Sequence, residues 1–196
     1  MTLPKTLLDF SGVALAPARF EEAVLLLIDH QQEYSAGKLK LPGVAAAVDA
    51  IGRLQEAARN AGTPIVHIAQ NGRAGGALFD PEGAMVKFIA GIEPEKNEIT
   101  VIKSLPNAFA KTELDGRLKA TGRTDLIVAG FMTHMCVSAT ARAALDLGYR
   151  TTVVAEATAT RDLPDTTGGI IDAATVKRVA LAELADRFAK VVPMLG

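Results

Sequence analysis

The chain has 196 residues, a formal net charge of -1 and 49% hydrophobic residues. This length supports one well-buried core rather than two domains. Without a basic cluster or a Trp, and with 5% aromatic residues, neither nucleic acid nor another polyanion is an expected partner. The single Cys cannot form an internal disulfide, and no apolar run approaches the roughly 20 residues needed to cross a bilayer. We therefore expect a cytoplasmic protein without a membrane partner.

Short apolar runs alternate with longer amphipathic segments along the chain. The runs are rich in branched residues and apolar on both faces, which is typical of buried parallel strands. The longer segments carry apolar residues at helical spacing and end at Gly or before Pro. In chain order, the pattern predicts strand 23–28, helix 43–61, strand 64–69, strand 99–102, helix 112–120, strand 125–131, helix 136–147, strand 151–155, helix 172–188 and a last strand over 189–192.

This alternation predicts the fold class. Repeated strand and helix units indicate an α/β fold, a three-layer αβα sandwich on a mostly parallel six-stranded sheet. We expect one domain over 23–196, preceded by an N-terminal extension over 1–22. In such sheets ligands bind at the carboxyl ends of the strands, so the polar residues that follow each apolar run are the candidates for chemistry.

Three strand ends carry an acid, an amine and a thiol. Asp29 follows the first strand directly, Lys103 follows the third, and Cys136 opens the helix after the fourth. A helix start and a nearby ammonium both favour the thiolate form of a cysteine. A carboxylate beside the thiol can take its proton and later return it to a leaving group. The pattern therefore indicates nucleophilic catalysis by Cys136.

Several motifs in order give the chain a family resemblance. Residues 29–34 (DHQQEY) resemble D-x-Q-x-x-[FY], residues 103–114 resemble K-x5-F-x2-T-x-L, and residues 130–137 (GFMTHMCV) resemble G-x-x-T-x-x-C-V. Residues 157–162 (ATATRD) are similar to a further segment, except that Glu156 stands where the family has Asp. On these motifs the chain resembles the isochorismatase-like hydrolase superfamily of cysteine hydrolases, which includes nicotinamidases and carbamoylsarcosine amidases.

The resemblance implies roles for the matching residues. It implies a catalytic triad of Asp29, Lys103 and Cys136. It also implies a cis peptide bond between Phe131 and Met132, which orients an oxyanion hole formed by the N–H groups of Met132 and Cys136. The residues that we expect at the substrate are Gln31, Tyr34, Phe109, Thr133 and His134. For Gln31, orienting Asp29 is an alternative to contacting substrate, whereas for Tyr34 and Phe109 the alternative is ordinary core packing.

The remaining histidines do not indicate a metal site. The nicotinamidase branch of the family holds a divalent ion through an Asp-x-His and a further His, and this chain has no D-x-H between Asp29 and Lys103. His67 lies inside an apolar strand and is expected to be a core histidine, while strand alternation turns His30 away from Asp29. We therefore predict no metal and no cofactor, which counts against nicotinamidase activity.

Three hypotheses about function follow. The first is hydrolysis of a small amide, carbamoyl or ureido substrate through a Cys136 thioester. The second is isochorismatase-type hydrolysis of a vinyl ether, with Asp29 as general acid and no need for a thiol. The third is a non-catalytic binding or assembly protein on the same fold. The Gly-rich stretch 71–77 is a candidate loop at the mouth of the site, where Arg73 is a candidate to meet a substrate carboxylate. The resemblance also implies a homo-oligomer, a dimer or tetramer.

Overall fold

The centre of the protein is a six-stranded parallel sheet. The computed structural model describes residues 3–195, and its sheet has the strand order β3-β2-β1-β4-β5-β8. A separate pair of short antiparallel strands, β6 and β7, follows β5. The bounds are β1 Ala23–Ile28, β2 Ile65–Gln70, β3 Ile99–Lys103, β4 Asp125–Phe131, β5 Arg150–Ala159, β6 Leu163–Pro164, β7 Ile170–Ile171 and β8 Lys190–Val192.

Helices cover both faces of this sheet. Helix α2 packs on one face, against β1, β4 and β5, whereas α4 and α5 lie on the other face with residues of α3. The predicted three-layer α/β sandwich is therefore confirmed. The helices are α1 Leu7–Phe10, α2 Val44–Asn60, α3 Leu114–Lys119, α4 Ser138–Asp146 and α5 Ala173–Arg187.

The composition of β1 follows from its central position. All six of its residues are fully buried. Ala23, Leu25 and Leu27 point into the core cluster on the α2 side, whereas the alternate residues Val24, Leu26 and Ile28 point into the other cluster. A strand with a helical layer on each side has no solvent face, so an uninterrupted apolar run fits it.

The fourth strand ends in an unusually close approach to β1. Gly130 has a backbone φ of 112°, and a Cβ there would lie 2.0 Å from the carbonyl oxygen of Ile28. Only glycine fits both the φ angle and the contact. The pairing of β4 with β5 also changes register between Val128 and Gly130. As a result, β5 continues to Ala159, beyond the strand predicted over 151–155.

Hydrogen bonds tie the segment before β1 to the rest of the domain near both of its ends, and the Phe20 carbonyl also accepts from Thr63 and Arg123. The Leu7 N–H donates to the Asp186 carboxylate at 2.9 Å, and the Ala18 N–H donates to the Thr152 hydroxyl at 2.8 Å. The division into an extension over 1–22 and a domain over 23–196 stays a prediction. Within residues 3–195, no helix combines the length and the apolar character that crossing a membrane requires.

Candidate active site

The carboxyl edge of the sheet brings Asp29, Lys103 and Cys136 together, and we refer to these three residues as the Lys103 cluster. Lys103 Nζ lies 2.8 Å from Asp29 Oδ2 and donates to Cys136 Sγ at 3.4 Å. A third bond runs from Nζ to Gln70 Oε1 at 2.7 Å. The fully buried ammonium therefore lies within 3.4 Å of three acceptor atoms, which fixes its position.

Asp29 leaves its strand with an unusual backbone conformation. Its φ is 50°, a region that Asp and Asn occupy more readily than other non-glycine residues. Its N–H donates to the Ile68 carbonyl at 2.9 Å, and its own carbonyl accepts from the Gln31 N–H at 2.8 Å. These two bonds tie the turn to β2 and aim the carboxylate at Lys103.

Cys136 lies on a π-helical turn, Thr133–Val137, that precedes α4. The sequence predicted a helix beginning at Cys136, but α4 begins two residues later. Both the Met135 and the Val137 N–H donate to the Met132 carbonyl, at 3.0 and 3.2 Å. The peptide bond between Phe131 and Met132 is cis. The turn therefore places Met132 and Cys136 at the end of β4, where Cys136 meets the other two members of the Lys103 cluster.

Burial raises the pKa of both acidic groups of the cluster. Burial raises the pKa of Asp29, against the attraction of Lys103 and hydrogen bonds from Lys103 and Cys136. Burial, followed by the charge of Asp29, raises the pKa of Cys136 to about 12, although Lys103 opposes this. The expectation of a favoured thiolate does not hold, because the thiol is 5% exposed and faces a carboxylate. The raised pKa keeps Cys136 a thiol at neutral pH, beside the Asp29–Lys103 pair.

This arrangement predicts how the thiol reacts with iodoacetamide. The alkylation rate of the native protein should keep rising above pH 8 without a plateau up to about pH 10, since the thiolate is the reactive form. Asp29→Asn removes the neighbouring negative charge, so the midpoint should move to lower pH and the rate at pH 8 should increase. The urea-unfolded protein provides the control with an ordinary thiol. A plateau near pH 8 in the native protein would contradict the raised pKa.

Gln31 holds a neighbouring strand rather than Asp29. Its Nε2 donates to the carbonyls of Gln70 and Val86, at 2.9 and 2.6 Å, and its Oε1 accepts from the Gln70 N–H at 2.8 Å. The amide group is thus bonded to backbone on both sides. Gln31 acts on the Lys103 cluster indirectly, because it fixes the backbone of Gln70, whose side chain binds the Lys103 ammonium.

Tyr34 lies against the cluster, whereas Phe109 lies further out. Tyr34 is 2% exposed, and its ring meets Phe79 and Phe131 edge-on with centroids at 5.2 and 5.7 Å. Burial raises its pKa, and the charges of Asp29 and Cys136 raise it further. Phe109 is half-buried and stacks on Tyr149 with centroids 5.8 Å apart.

Thr133 and His134, on the turn that carries Cys136, form hydrogen bonds to the end of strand β5 and to the residue after it. The buried Thr133 hydroxyl donates to the Ala159 carbonyl at 3.1 Å, and His134 Nδ1 bonds the Thr160 hydroxyl. His134 also lines a cavity of about 310 Å³ that it shares with α5 and the β6–β7 pair. The sequence predicted that His134 points into the substrate pocket, whereas in the structure it lines this adjoining apolar cavity. Contact of either residue with substrate stays a prediction.

Two residues at the site escaped the sequence analysis. Gln70, at the end of β2, is the third partner of Lys103, and its Nε2 donates to the Asn71 carbonyl, which turns its oxygen toward the ammonium. Arg161 follows β5, and its charge lowers the pKa of Tyr34 and, after burial, that of His134. Its buried Nε has no hydrogen-bond partner within residues 3–195. Arg161 Nη1 donates to the Asp162 carbonyl at 3.1 Å, and the guanidinium has no carboxylate partner among the described residues.

The donor set at the site does not resemble a metal centre. Within the described part of the chain, no group of three or more His, Cys, Asp or Glu side chains is arranged to hold a metal ion. Asp29 and Cys136 share an ammonium, which occupies the space between them that a cation would need. Function without a metal or cofactor stays a prediction.

Comparison with known proteins identifies the family. A model of the isochorismatase domain matches residues 23–193. The chain belongs to the isochorismatase family. The secreted isochorismatase effector Isc1 of Verticillium dahliae is 36% identical over 92% of this chain and 93% of its own length. The crystal structure of an isochorismatase from Pseudomonas putida KT2440 is 46% identical, with a TM-score of 0.94 and 97% of each chain covered. Maleamate amidohydrolase of Pseudomonas putida is 32% identical over 67% of this chain and 70% of its own length.

Proposed function

We propose that this isochorismatase-family protein is a cysteine hydrolase that cleaves a small amide or carbamoyl C–N bond through a Cys136 thioester. The observation that carries the proposal is the single buried ammonium of Lys103, which contacts both the Asp29 carboxylate and the Cys136 sulfur. A buried polar cluster of this kind is costly for a fold to maintain, and perturbed groups of this kind concentrate at active sites.

In the proposed reaction, Asp29 takes the thiol proton as Sγ attacks the substrate carbonyl. Because burial and the charge of Asp29 raise the pKa of Cys136, we expect proton transfer to accompany the attack instead of preceding it. Lys103 stays charged and stabilises the carboxylate and the sulfur in turn. The N–H groups of Met132 and Cys136 form the oxyanion hole. Asp29 then returns the proton to the leaving amine, and water activated by Asp29 hydrolyses the thioester.

Vinyl-ether hydrolysis remains a second candidate for a specific reason. That reaction needs a carboxylic acid able to protonate an enol-ether carbon, and burial raises the pKa of Asp29 toward that protonated form. The similarity to an isochorismatase effector also favours it, whereas the similarity to maleamate amidohydrolase favours the amide reaction. The Cys136 sulfur within reach of Lys103 weighs for the amide, because an enol-ether mechanism has no use for a thiol.

A direct comparison of substrates tests the proposal. We expect ammonia release from one or more members of a panel of small primary amides and ureido acids, and no turnover of isochorismate. Intact-protein mass spectrometry after rapid acid quenching should show an acyl adduct on Cys136. Isochorismate turnover without ammonia release would transfer the assignment to the vinyl-ether reaction. Inertness toward both classes would favour the non-catalytic hypothesis.

We further propose that the substrate carries a negative charge beside its amide. Arg161, unengaged by any carboxylate within residues 3–195, stands next to the turn that carries Cys136, since Ala159 pairs with Phe131 at the strand ends. Arg73, the cation suggested by sequence, lies exposed on the 71–77 loop. Arg161→Gln should raise KM for an anionic amide about tenfold or more, and leave a neutral amide of equal size within about twofold. Equal losses on both substrates would contradict charge recognition.

The remaining attributes are also proposals. We expect the enzyme to need no cofactor, to act on a small molecule, and to assemble as a homodimer or homotetramer. The fungal relative is named as a secreted protein. Cytoplasmic localisation of this chain therefore stays a prediction.

A further inference from the structure

Two buried histidines form a hydrogen-bonded chain that the proposed reaction does not use. His30 on β1's end and His67 on β2 are both fully buried, with His30 Nε2 3.0 Å from His67 Nδ1. His67 Nε2 lies 2.7 Å from Glu98 Oε2. Arg59 of α2 binds the same carboxylate twice, at 2.8 and 3.0 Å. The chain thus runs from the residue after Asp29 to the half-buried edge of α2.

The hydrogen bonds fix where the protons lie. Burial would raise the pKa of Glu98, but bonds from Arg59, the Glu95 N–H and His67 lower it to about 2, so the carboxylate accepts. His67 must then donate through Nε2, which leaves its Nδ1 as an acceptor while the ring is neutral. His30 in turn must donate through Nε2, which leaves its Nδ1 without a proton.

This last nitrogen is the anomaly. His30 Nδ1 is buried and has no hydrogen-bond partner within residues 3–195. The Ile92 carbonyl, which accepts from Gln55 Nε2 at 2.9 Å, raises the pKa of His30. This carbonyl is therefore the acceptor that a protonated Nδ1 would meet, while the Glu98 carboxylate ends the row of four ring nitrogens on the other side. Three hydrogen bonds along such a row need three protons, whereas the neutral rings of His30 and His67 supply only two. The row is one proton short of full hydrogen bonding.

We propose that His30 and His67 form a buried site for one proton, and that the bound proton ties segment 88–92 to β1. The proton enters at His30 Nδ1, which then donates to the Ile92 carbonyl, while every other link keeps its donor. The Phe88 ring lies over His30 with centroids 4.6 Å apart, so it gains a cation to attract. Protonation thus adds two contacts between this segment and the strand.

The charges around the pair set the pH range. Glu98 attracts the added proton, whereas Arg59 repels it, and Glu95 offsets part of the Arg59 charge from 3.2 Å. Asp29, next to His30 in sequence, is paired with Lys103. Burial is the dominant effect and lowers the pKa of both histidines. The proton is therefore taken up on acidification below the ordinary histidine range, and the site is empty at neutral pH.

The tightened segment lies next to the Lys103 cluster. The Ile89 N–H donates to the His30 carbonyl at 2.9 Å, and the Val86 carbonyl accepts from Gln31. Gln31 fixes the backbone of Gln70, which binds the Lys103 ammonium. A contiguous set of bonds thus connects the proton site to the cluster, so acidification through the range of proton uptake should stiffen this side of the active site. This inference does not depend on the substrate or on the proposed reaction.

Histidine NMR tests the inference directly, because the chain has three histidines. In ¹⁵N-histidine protein, long-range ¹H–¹⁵N spectra should show His30 and His67 as neutral Nε2–H tautomers at pH 7.5, with His134 assigned through His134→Gln. On acidification the pair should take up one proton with a shared midpoint. Glu98→Gln should lower that midpoint by about one unit or more. Glu95→Gln, which removes the other Arg59 carboxylate, should leave it within a few tenths of a unit.

Hydrogen exchange supplies the second readout. The protection factor of the Ile89 amide, corrected for intrinsic exchange, should increase about threefold or more along the same titration curve and follow its shift in Glu98→Gln. Uptake of two protons with separate midpoints would overturn the inference, as would histidines that stay neutral down to acid unfolding. An Ile89 protection factor that stays constant along the titration would overturn the inference that the bound proton ties segment 88–92 to β1. Wild-type spectra decide these outcomes even if Glu98→Gln fails to fold.

Discussion

Cys136→Ser is expected to lower amide turnover by at least roughly a thousandfold while leaving the fold intact. The substitution removes the sulfur that Lys103 contacts and leaves a much weaker nucleophile in its place. Serine is close in size to cysteine, and its hydroxyl can still hydrogen-bond within the cluster. Steady-state ammonia release and thermal unfolding measured on the same preparation check both halves of the expectation.

Ser138→Ala provides a matched control for this variant. Ser138 is buried two residues further along, at the start of α4, and its hydroxyl accepts from Arg142. Its loss should change turnover less than about threefold. If Cys136→Ser instead kept most of its activity, covalent catalysis would be rejected, and the vinyl-ether mechanism with Asp29 as the acid would gain support.

Lys103→Met is expected to give the largest loss of stability, roughly 3–5 kcal/mol, because it leaves the Asp29 carboxylate buried without its partner. For a chain of this length such a loss corresponds to a decrease in Tm of roughly 6–20 °C. Turnover should also disappear, because the pKa of Asp29 rises further once the ammonium is gone. Urea unfolding and calorimetry measure the first effect, and ammonia release measures the second.

A double substitution separates stability from catalysis. In Asp29→Asn/Lys103→Met both charges are removed, and Asn tolerates the positive φ at position 29. Most of the lost stability should return, because no unpaired buried charge is left. Activity should stay absent. A double variant as unstable as Lys103→Met alone would show that packing at position 103, and not the unpaired carboxylate, accounts for the loss.

The sequence predicted the three members of the Lys103 cluster for a simple physical reason. Asp29 and Lys103 directly follow apolar runs, Cys136 opens the helix predicted after another, and the carboxyl ends of parallel strands meet at one edge. Gln70 was missed although it directly follows the second predicted strand, because an amide side chain does not by itself indicate acid–base or nucleophilic chemistry. Arg161 was missed because the register change opposite Gly130 extends β5 to Ala159, and no periodicity in the sequence indicates that irregularity.

The pKa values of the site residues were harder to predict from the sequence than their positions in the fold. A helix start and a lysine near Cys136 suggested a thiolate, but the actual pKa depends on how completely the surrounding chain excludes water and on which side the carboxylate lies. The histidine pair shows the same limit. Alternation correctly turned His30 away from Asp29 and into the core, but its contact with His67 depends on the parallel pairing of β1 with β2.

The contact of Gly130 with the Ile28 carbonyl has a consequence for how this scaffold can change. Since no side chain fits between β1 and β4 at that point, position 130 offers no room for altering substrate preference. New specificities, natural or engineered, must come from other positions, and the loops over residues 71–92 and 160–172 are the ones we would vary first. Libraries that randomise those loops should yield folded, altered enzymes, whereas substitutions at Gly130 should yield mostly unfolded protein.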